Sequence, residues 1–252
     1  TLRGAAESSG RRAGTALNQW AQAGDPDYLA LLVQEFGGVT PENATKWGPL
    51  QSSSDSWDFS AADDMVALAS KNDIRVKGHA LVWHSQLPDW LGETPTYEDL
   101  SEAMQNHFES TLGHFGSQIA DWDVVNEAYE SDGSMRQSVF WSVLGADYIG
   151  QAFILARSHA PDARLFYNDY GIEDLNSKSD AVVAMVAELK DSGVPIDGVG
   201  MQMHLTHDSV PSRANLKSNM SRMADLGVVT HISEMDVQIR HLQGPESERL
   251  LA

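Results

Sequence analysis

Hydrophobic and polar positions along the chain change period repeatedly. Short apolar runs rich in β-branched residues, readable as buried strands, occur at 14–17, 38–40, 74–82, 122–125, 164–167, 198–203 and 228–233. Between them apolar residues recur every three or four positions, which predicts helices over 27–36, 61–71, 97–114, 139–159, 179–192 and 212–226. Several helices carry their own punctuation. Ser60 precedes one, Thr96 is followed three residues later by Asp99, and Gly193-Val194-Pro195 and Gly227 stand where two helices should stop. Alternation of this kind predicts a parallel sheet with right-handed crossovers, either closed into a barrel or open and doubly wound. The phosphate-binding signatures of the open form, GxGxxG after the first strand or a Walker loop, are absent from the sequence. No internal repeat, low-complexity stretch or linker marks a boundary, so 1–252 is expected to be a single domain.

The polar residues decide between the two forms. Glu42, Asn43 and Lys46 follow the second run; His79, Trp83, His84 and Gln86 accompany the third; Asn126 and Glu127 follow the fourth. Asn168, Asp169 and Tyr170 come after the fifth, Gln202 and His204 after the sixth, Glu234 and Asp236 after the seventh. In a parallel barrel every strand C-terminus lies on one face, so these groups would form one ring, whereas an open sheet would divide them at its switch point. The expected fold is α/β, a (β/α)8 TIM barrel with about seven strands visible.

Two ring members are carboxylates at the ends of strand-like runs. Glu127 closes the run within WDVVNEA (122–128) and Glu234 the run within VVTHISEMDV (228–237). Two carboxyl groups flanking one bond are what glycoside hydrolysis requires, one to protonate the leaving oxygen and one to attack carbon or activate water. Taken singly, each ring member also has a plainer reading. His79 and His84 read as core histidines, Trp47, Trp90, Met201 and Met203 as core, Asp169 and Asp236 as structural, and His107 and His114 as an exposed helix face. His204 and His207 lack a matching third ligand, so no metal and no cofactor is expected.

Charge and composition narrow the partners. There are 36 acidic and 17 basic residues among the 252, a net charge of −19, which argues against nucleic acid and against an anionic membrane but leaves a neutral polymer open. No apolar run reaches the ~20 residues that span a bilayer. With no cysteine, disulfides are excluded and the redox compartment is left open.

The segments VTPENATKW, GHALVWHSQLPDW, WDVVNEA, LFYNDYGIE, GVPIDGVGMQMH and HISEMDV resemble, in order and across nearly the whole chain, those of the family 10 glycoside hydrolases, the endo-β-1,4-xylanases. The resemblance implies a TIM barrel and a retaining double displacement on xylan or xylo-oligosaccharides through a covalent glycosyl-enzyme, with carboxyl groups about 5 to 5.5 Å apart. It implies that Glu127 is the acid/base and Glu234 the nucleophile. Asn126 would bond the sugar 2-hydroxyl, and His204 would bond Glu234 with Asp236 behind it. Glu42, Asn43, Lys46, His79, Trp83, His84, Gln86 and Gln202 would hold the glycone, and Tyr170 the leaving-group side. Secretion follows from the polymeric substrate.

Other expectations follow from a departure. The family's eighth strand, last helix and tryptophan-bearing loop are not found after Glu234, and the domain reads as C-terminally incomplete by about fifty residues of the usual eight-unit length. SERLLA at 247–252 reads as the opening of a further helix. The first and seventh strands would then be open edges, inviting a homodimer or a swapped partner. A non-catalytic xylan-binding remnant and a β-1,4-glucan-active glycosidase of the same fold are the alternatives.

Overall fold

The computed structural model describes residues 1–239, so the SERLLA segment lies outside the described residues. Among these residues ten α-helices and nine strands follow one another: α1 (Leu2–Ser8), β1 (Gly14–Leu17), α2 (Gln19–Gly24), α3 (Pro26–Glu35), β2 (Gly38–Pro41), α4 (Trp47–Leu50), α5 (Ser60–Lys71), β3 (Arg75–Gly78), α6 (Tyr97–Phe115), β4 (Ile119–Asn126), α7 (Val139–Leu144), α8 (Tyr148–His159), β5 (Arg164–Asp169), α9 (Ser177–Asp191), β6 (Gly198–Met201), β7 (His204–Thr206), α10 (Arg213–Asp225), β8 (Val229–Ile232) and β9 (Asp236–Gln238). Seven strands form one curled parallel sheet in the order β1-β2-β3-β4-β5-β6-β8, and β7 pairs with β9 in a separate two-stranded ladder. Among the described residues β1 and β8 are the sheet's edges, as the sequence leads one to expect.

Close strand packing follows from glycines set opposite large neighbours. Gly78 registers with Trp122 on β4 and Gly198 with Phe166 on β5, and a Cβ at either glycine would come within 2.2 Å of the facing ring. Small-against-large alternation across neighbouring strands lets the interior of a small barrel fill without voids. Near the strand N-termini the interior is ionic. Asp121 is held by two bidentate forks, from Arg75 at 2.9 and 2.7 Å and from Arg164 at 2.7 and 2.8 Å. Burial pushes the Asp121 carboxyl up, but the two guanidinium groups outweigh it and leave it below the ordinary carboxylate range.

The helices close the outer layer. Thr96 and Asp99 form the expected capping box of α6. That helix buries Leu100, Ala103, Met104, His107, Phe108, Thr111, Leu112 and Phe115 at three- and four-residue spacing. His107 thus corrects the expectation of an exposed face: it is fully buried, stacks on Trp47 at 4.4 Å, and places Nε2 3.1 Å from the Leu81 carbonyl. Burial drives its pKa down to about 3, so it is a neutral packing residue. The long helix expected over 139–159 is two helices, because Gly145 adopts φ 82° and caps α7 before α8 begins.

Candidate active site

Glu127 stands one residue beyond β4 in the left-handed region, at φ 57°. Such a conformation costs a non-glycine residue about 1–3 kcal/mol, so surrounding bonds must hold it. Its N–H donates to the Asn168 carbonyl at 2.9 Å, its carbonyl accepts from Arg136 Nε at 2.9 Å, and the next N–H, that of Ala128, donates to the Tyr167 hydroxyl at 3.0 Å. The side chain is thereby turned onto the C-terminal face of the sheet. Oε1 accepts from Gln202 Nε2 at 3.1 Å and from Asn126 Nδ2 at 3.3 Å, while Oε2 lies 4.0 Å from His84 Nδ1.

Glu234 follows β8 on the same face. Its Oε1 accepts from Asn168 Nδ2 at 2.8 Å, and its Oε2 is 3.2 Å from His204 Nε2. The β7–β9 ladder registers His204 against Asp236, whose Oδ2 lies 2.7 Å from His204 Nδ1. Both ring nitrogens therefore face a carboxylate, an arrangement only the imidazolium satisfies with two donors. Burial opposes that charge, but Asp236 and Glu234 outweigh it and raise the His204 pKa.

Three amides join the two carboxylates. Gln202 Nε2 reaches Glu127 Oε1 and also Asn126 Oδ1, the latter at 3.2 Å. Asn126 Oδ1 in turn accepts from Asn168 Nδ2 at 2.9 Å, the same nitrogen that donates to Glu234. Ser233 Oγ donates to Asn168 Oδ1 at 2.7 Å, which fixes the orientation of that amide. The β4–β5 register pairs Asn126 with Asn168, so the sheet itself sets the bridge.

The remaining candidates surround this pair. Lys46 Nζ donates to Asn43 Oδ1 at 3.0 Å and lies 4.7 Å from the centre of the Trp83 ring. Gln86 Nε2 donates to the same Asn43 oxygen at 3.2 Å. Burial pushes the Lys46 pKa down, opposed by Glu234, Glu42 and Glu127. Glu42 accepts from Asn18 Nδ2 and lines, with Lys46, His79, His204, Glu234 and Asp236, a cleft of about 650 Å³. Trp83 Nε1 is buried without a hydrogen-bond partner. His84 is held below its ordinary pKa by burial first and by Arg136 second. Tyr170 is half-buried: its hydroxyl accepts from Arg136 Nη2 at 2.9 Å and its ring lies over the Lys178 ammonium. Every candidate from the sequence falls on this face of the sheet or beside it.

Three residues act here without a role expected from the sequence, Asn168 among them a member of the ring of strand-end polar groups. Asn168 donates directly to Glu234, and its signal was its place at the end of a strand-like run, equivalent to that of Asn126. Asp123 lies between valine and tryptophan in β4 and holds His79 Nδ1 at 3.0 Å and Lys77 Nζ at 2.7 Å. Arg136 lies outside any strand end, and nothing in its local pattern marked it. Among the described residues no cluster of three or more His, Asp or Glu side chains is disposed to hold a metal ion.

Residues 1–250 match the family described as Glycosyl hydrolase family 10. The chain is 40% identical to endo-1,4-beta-xylanase B of Thermotoga neapolitana over 87% of this chain and 63% of that protein. It is 42% identical to endo-1,4-beta-xylanase 5 of Pyricularia oryzae over 89% of this chain and 56% of that protein. The chain thus spans less than two thirds of the length of these two relatives. The solved structure of xylanase 10B from Thermotoga petrophila in complex with xylobiose superposes with a TM-score of 0.95 at 38% identity, covering 100% of this chain and 77% of that one.

Proposed function

The chain belongs to glycosyl hydrolase family 10, and from that premise we propose that it is the catalytic unit of an endo-1,4-β-xylanase acting by retention. One observation carries the reading: Glu127 and Glu234, at the ends of separate strands, are joined by the amides of Gln202, Asn126 and Asn168 on the face that opens into the cleft. The relatives named endo-1,4-beta-xylanase and the xylobiose complex support xylan as substrate.

Glu234 is the nucleophile and Glu127 the acid/base. In the first step a Glu234 oxygen forms a bond to the anomeric carbon as the C1–O bond to the leaving sugar breaks, and Glu127 gives its proton to that departing oxygen. In the second step water loses a proton to Glu127 and attacks C1, and the Glu234 ester bond breaks. Donors from Asn168 and His204 orient the nucleophile, and Asp236 holds His204. Asn126 is placed to bond the sugar 2-hydroxyl, where a contact that strengthens at the oxocarbenium-like transition state lowers the barrier. Lys46, Asn43, Glu42, His79, His84, Gln86, Gln202 and the Trp83 ring hold the glycone, and Tyr170 the leaving-group side.

Action outside the cell belongs to the same reading, since a polymer does not cross a membrane unaided. Among the described residues no helix is long and apolar enough to cross a membrane. Cover of the β1 and β8 edges by a second copy or a swapped partner is part of it too, and light scattering gives the mass that decides it. The function itself is tested by turnover of an aryl β-xylobioside. Release of the aryl group by the parent and its abolition in Glu234→Gln is the expected result; equal rates in the two would overturn the reading.

A further inference from the structure

The segment after Glu127 is a tight hairpin that brings Arg136 back beneath it. Arg136 N–H donates to the Ala128 carbonyl at 2.8 Å, Glu130 N–H donates to the Ser134 carbonyl at 2.8 Å, and Tyr129 bridges Met135 in antiparallel fashion. At the tip Gly133 has φ 87°, and a Cβ there would lie 2.6 Å from the Ser177 carbonyl oxygen. The hairpin is therefore held to one shape by its own backbone and by α9.

The guanidinium that this hairpin delivers uses each of its nitrogens on a different residue. Nε donates to the Glu127 carbonyl at 2.9 Å, Nη2 donates to the Tyr170 hydroxyl at 2.9 Å, and Nη1 lies 3.1 Å from Glu130 Oε1. Tyr170 is itself fixed, its N–H donating to Asp169 Oδ1 at 2.9 Å and its ring centre 3.4 Å from Lys178 Nζ. Lys178 and Asp169 form a buried pair at 2.7 Å. A continuous set of bonds thus runs from this buried pair to the main chain of Glu127. Of the three contacts that hold the left-handed backbone there, two use Asn168 and Tyr167 within the buried sheet, and the third is supplied by the Arg136 side chain.

We propose that Arg136 is a positioning residue for Glu127, holding the strained backbone from which the Glu127 carboxyl is aimed, so that proton transfer depends on it while attack by Glu234 does not. The proposal rests on Glu127 being the acid/base. A fork with three donors in one plane suits three acceptors in different directions; a lysine ammonium on the same hairpin cannot reach all three. A shift of the acid/base by ~1 Å is enough to cost about 10²-fold in rate.

The test compares two substrates in the full chain, Arg136→Lys and Glu130→Ala, with thermal midpoints recorded for each. Dinitrophenyl β-xylobioside departs without protonation, whereas phenyl β-xylobioside needs the acid. For the phenyl substrate kcat/KM should fall by about tenfold or more in Arg136→Lys, within the 10²–10⁴ that general acid–base catalysis supplies. For the dinitrophenyl substrate it should change by no more than about threefold, the proton transfer being dispensable there. Equal falls on both substrates, or no fall on either, overturn the proposal. Should Arg136→Lys not fold, Glu130→Ala removes the partner of the Arg136 Nη1 end and is held to the same split. If the parent turns over neither substrate, the functional reading fails separately. Crystal structures of parent and variant then decide the placement: a Glu127 carboxylate still on Gln202 in Arg136→Lys overturns it, and a displaced one supports it.

Discussion

Replacing Gly200 by alanine tests how the strand register sets the active site. Gly200 registers with Asn168, and a Cβ built on it would stand 2.1 Å from Asn168 Oδ1 and 3.3 Å from Ser233 Oγ. Ordinary contact begins near 3.4 Å, so the Asn168 amide must withdraw by about 1 Å, a displacement of the size that costs about 10²-fold when it reaches reacting groups. Its Nδ2 bonds to Glu234 and Asn126, now 2.8 and 2.9 Å, would be stretched or broken, and the Ser233 bond to Oδ1 with them. Overpacking costs about 1–3 kcal/mol, and a lost bond to a charged group about as much again. The expected result is a drop in kcat/KM on an aryl xylobioside of about 10²-fold with a stability loss of a few kcal/mol, read by urea denaturation. Activity within about threefold of the parent, well short of the misplacement cost, would refute the reasoning, as would a crystal structure showing Asn168 unmoved.

Three further outcomes follow from the charges. Burial pushes the Asp169 carboxyl up to about 6 against the pull of Lys178 and Tyr167, so its contribution to stability is full below its unfolded pKa and is lost as pH rises through about 6. That slope is worth about 3 kcal/mol and should vanish in Asp169→Asn/Lys178→Met; urea midpoints between pH 4 and 7 that keep the parental slope contradict it. His204 has a raised pKa, so the imidazolium's bonds to Asp236 and Glu234 are complete below the unfolded value and fade as pH climbs through the folded one. Asp236→Asn should therefore move the NMR titration of His204 to lower pH, and an unmoved or upward titration goes against the geometry. Asp121→Asn leaves the half-exposed Arg75 and Arg164 guanidinium groups without the buried carboxylate that accepts from both and should cost about 1.5–3 kcal/mol in urea denaturation, where a loss under about 0.5 kcal/mol would show that these charge-assisted bonds contribute nothing.

The fold was legible because parallel strands buried on both faces, as β2, β4, β5 and β6 largely are, leave short apolar runs. Each of the seven runs marks a strand of the curled sheet, including β1, matched residue for residue at Gly14–Leu17. Helix splitting at Gly145 was hidden, since the apolar period continues through it and only φ 82° breaks the chain. The burial of His107 is not legible, because a histidine on a helix carries no mark of whether it stacks on a tryptophan or faces water. In the site, residues adjacent to strand ends were readable because a barrel gathers those ends on one face. Asp123 and Lys77 were not, since an ion pair inside a sheet becomes visible only when neighbouring strands are registered. Arg136 is not legible for a similar reason: its place depends on a hairpin closed by backbone bonds and a glycine at the tip.

Retention at a carboxylate pair is tested most directly by proton NMR of the first products released from xylan by this chain, with Glu234→Gln alongside. The β-anomer should appear first and mutarotate later, with no product from Glu234→Gln. Release of the α-anomer first, or hydrolysis by Glu234→Gln at the parental rate, would contradict the assignment of Glu127 and Glu234.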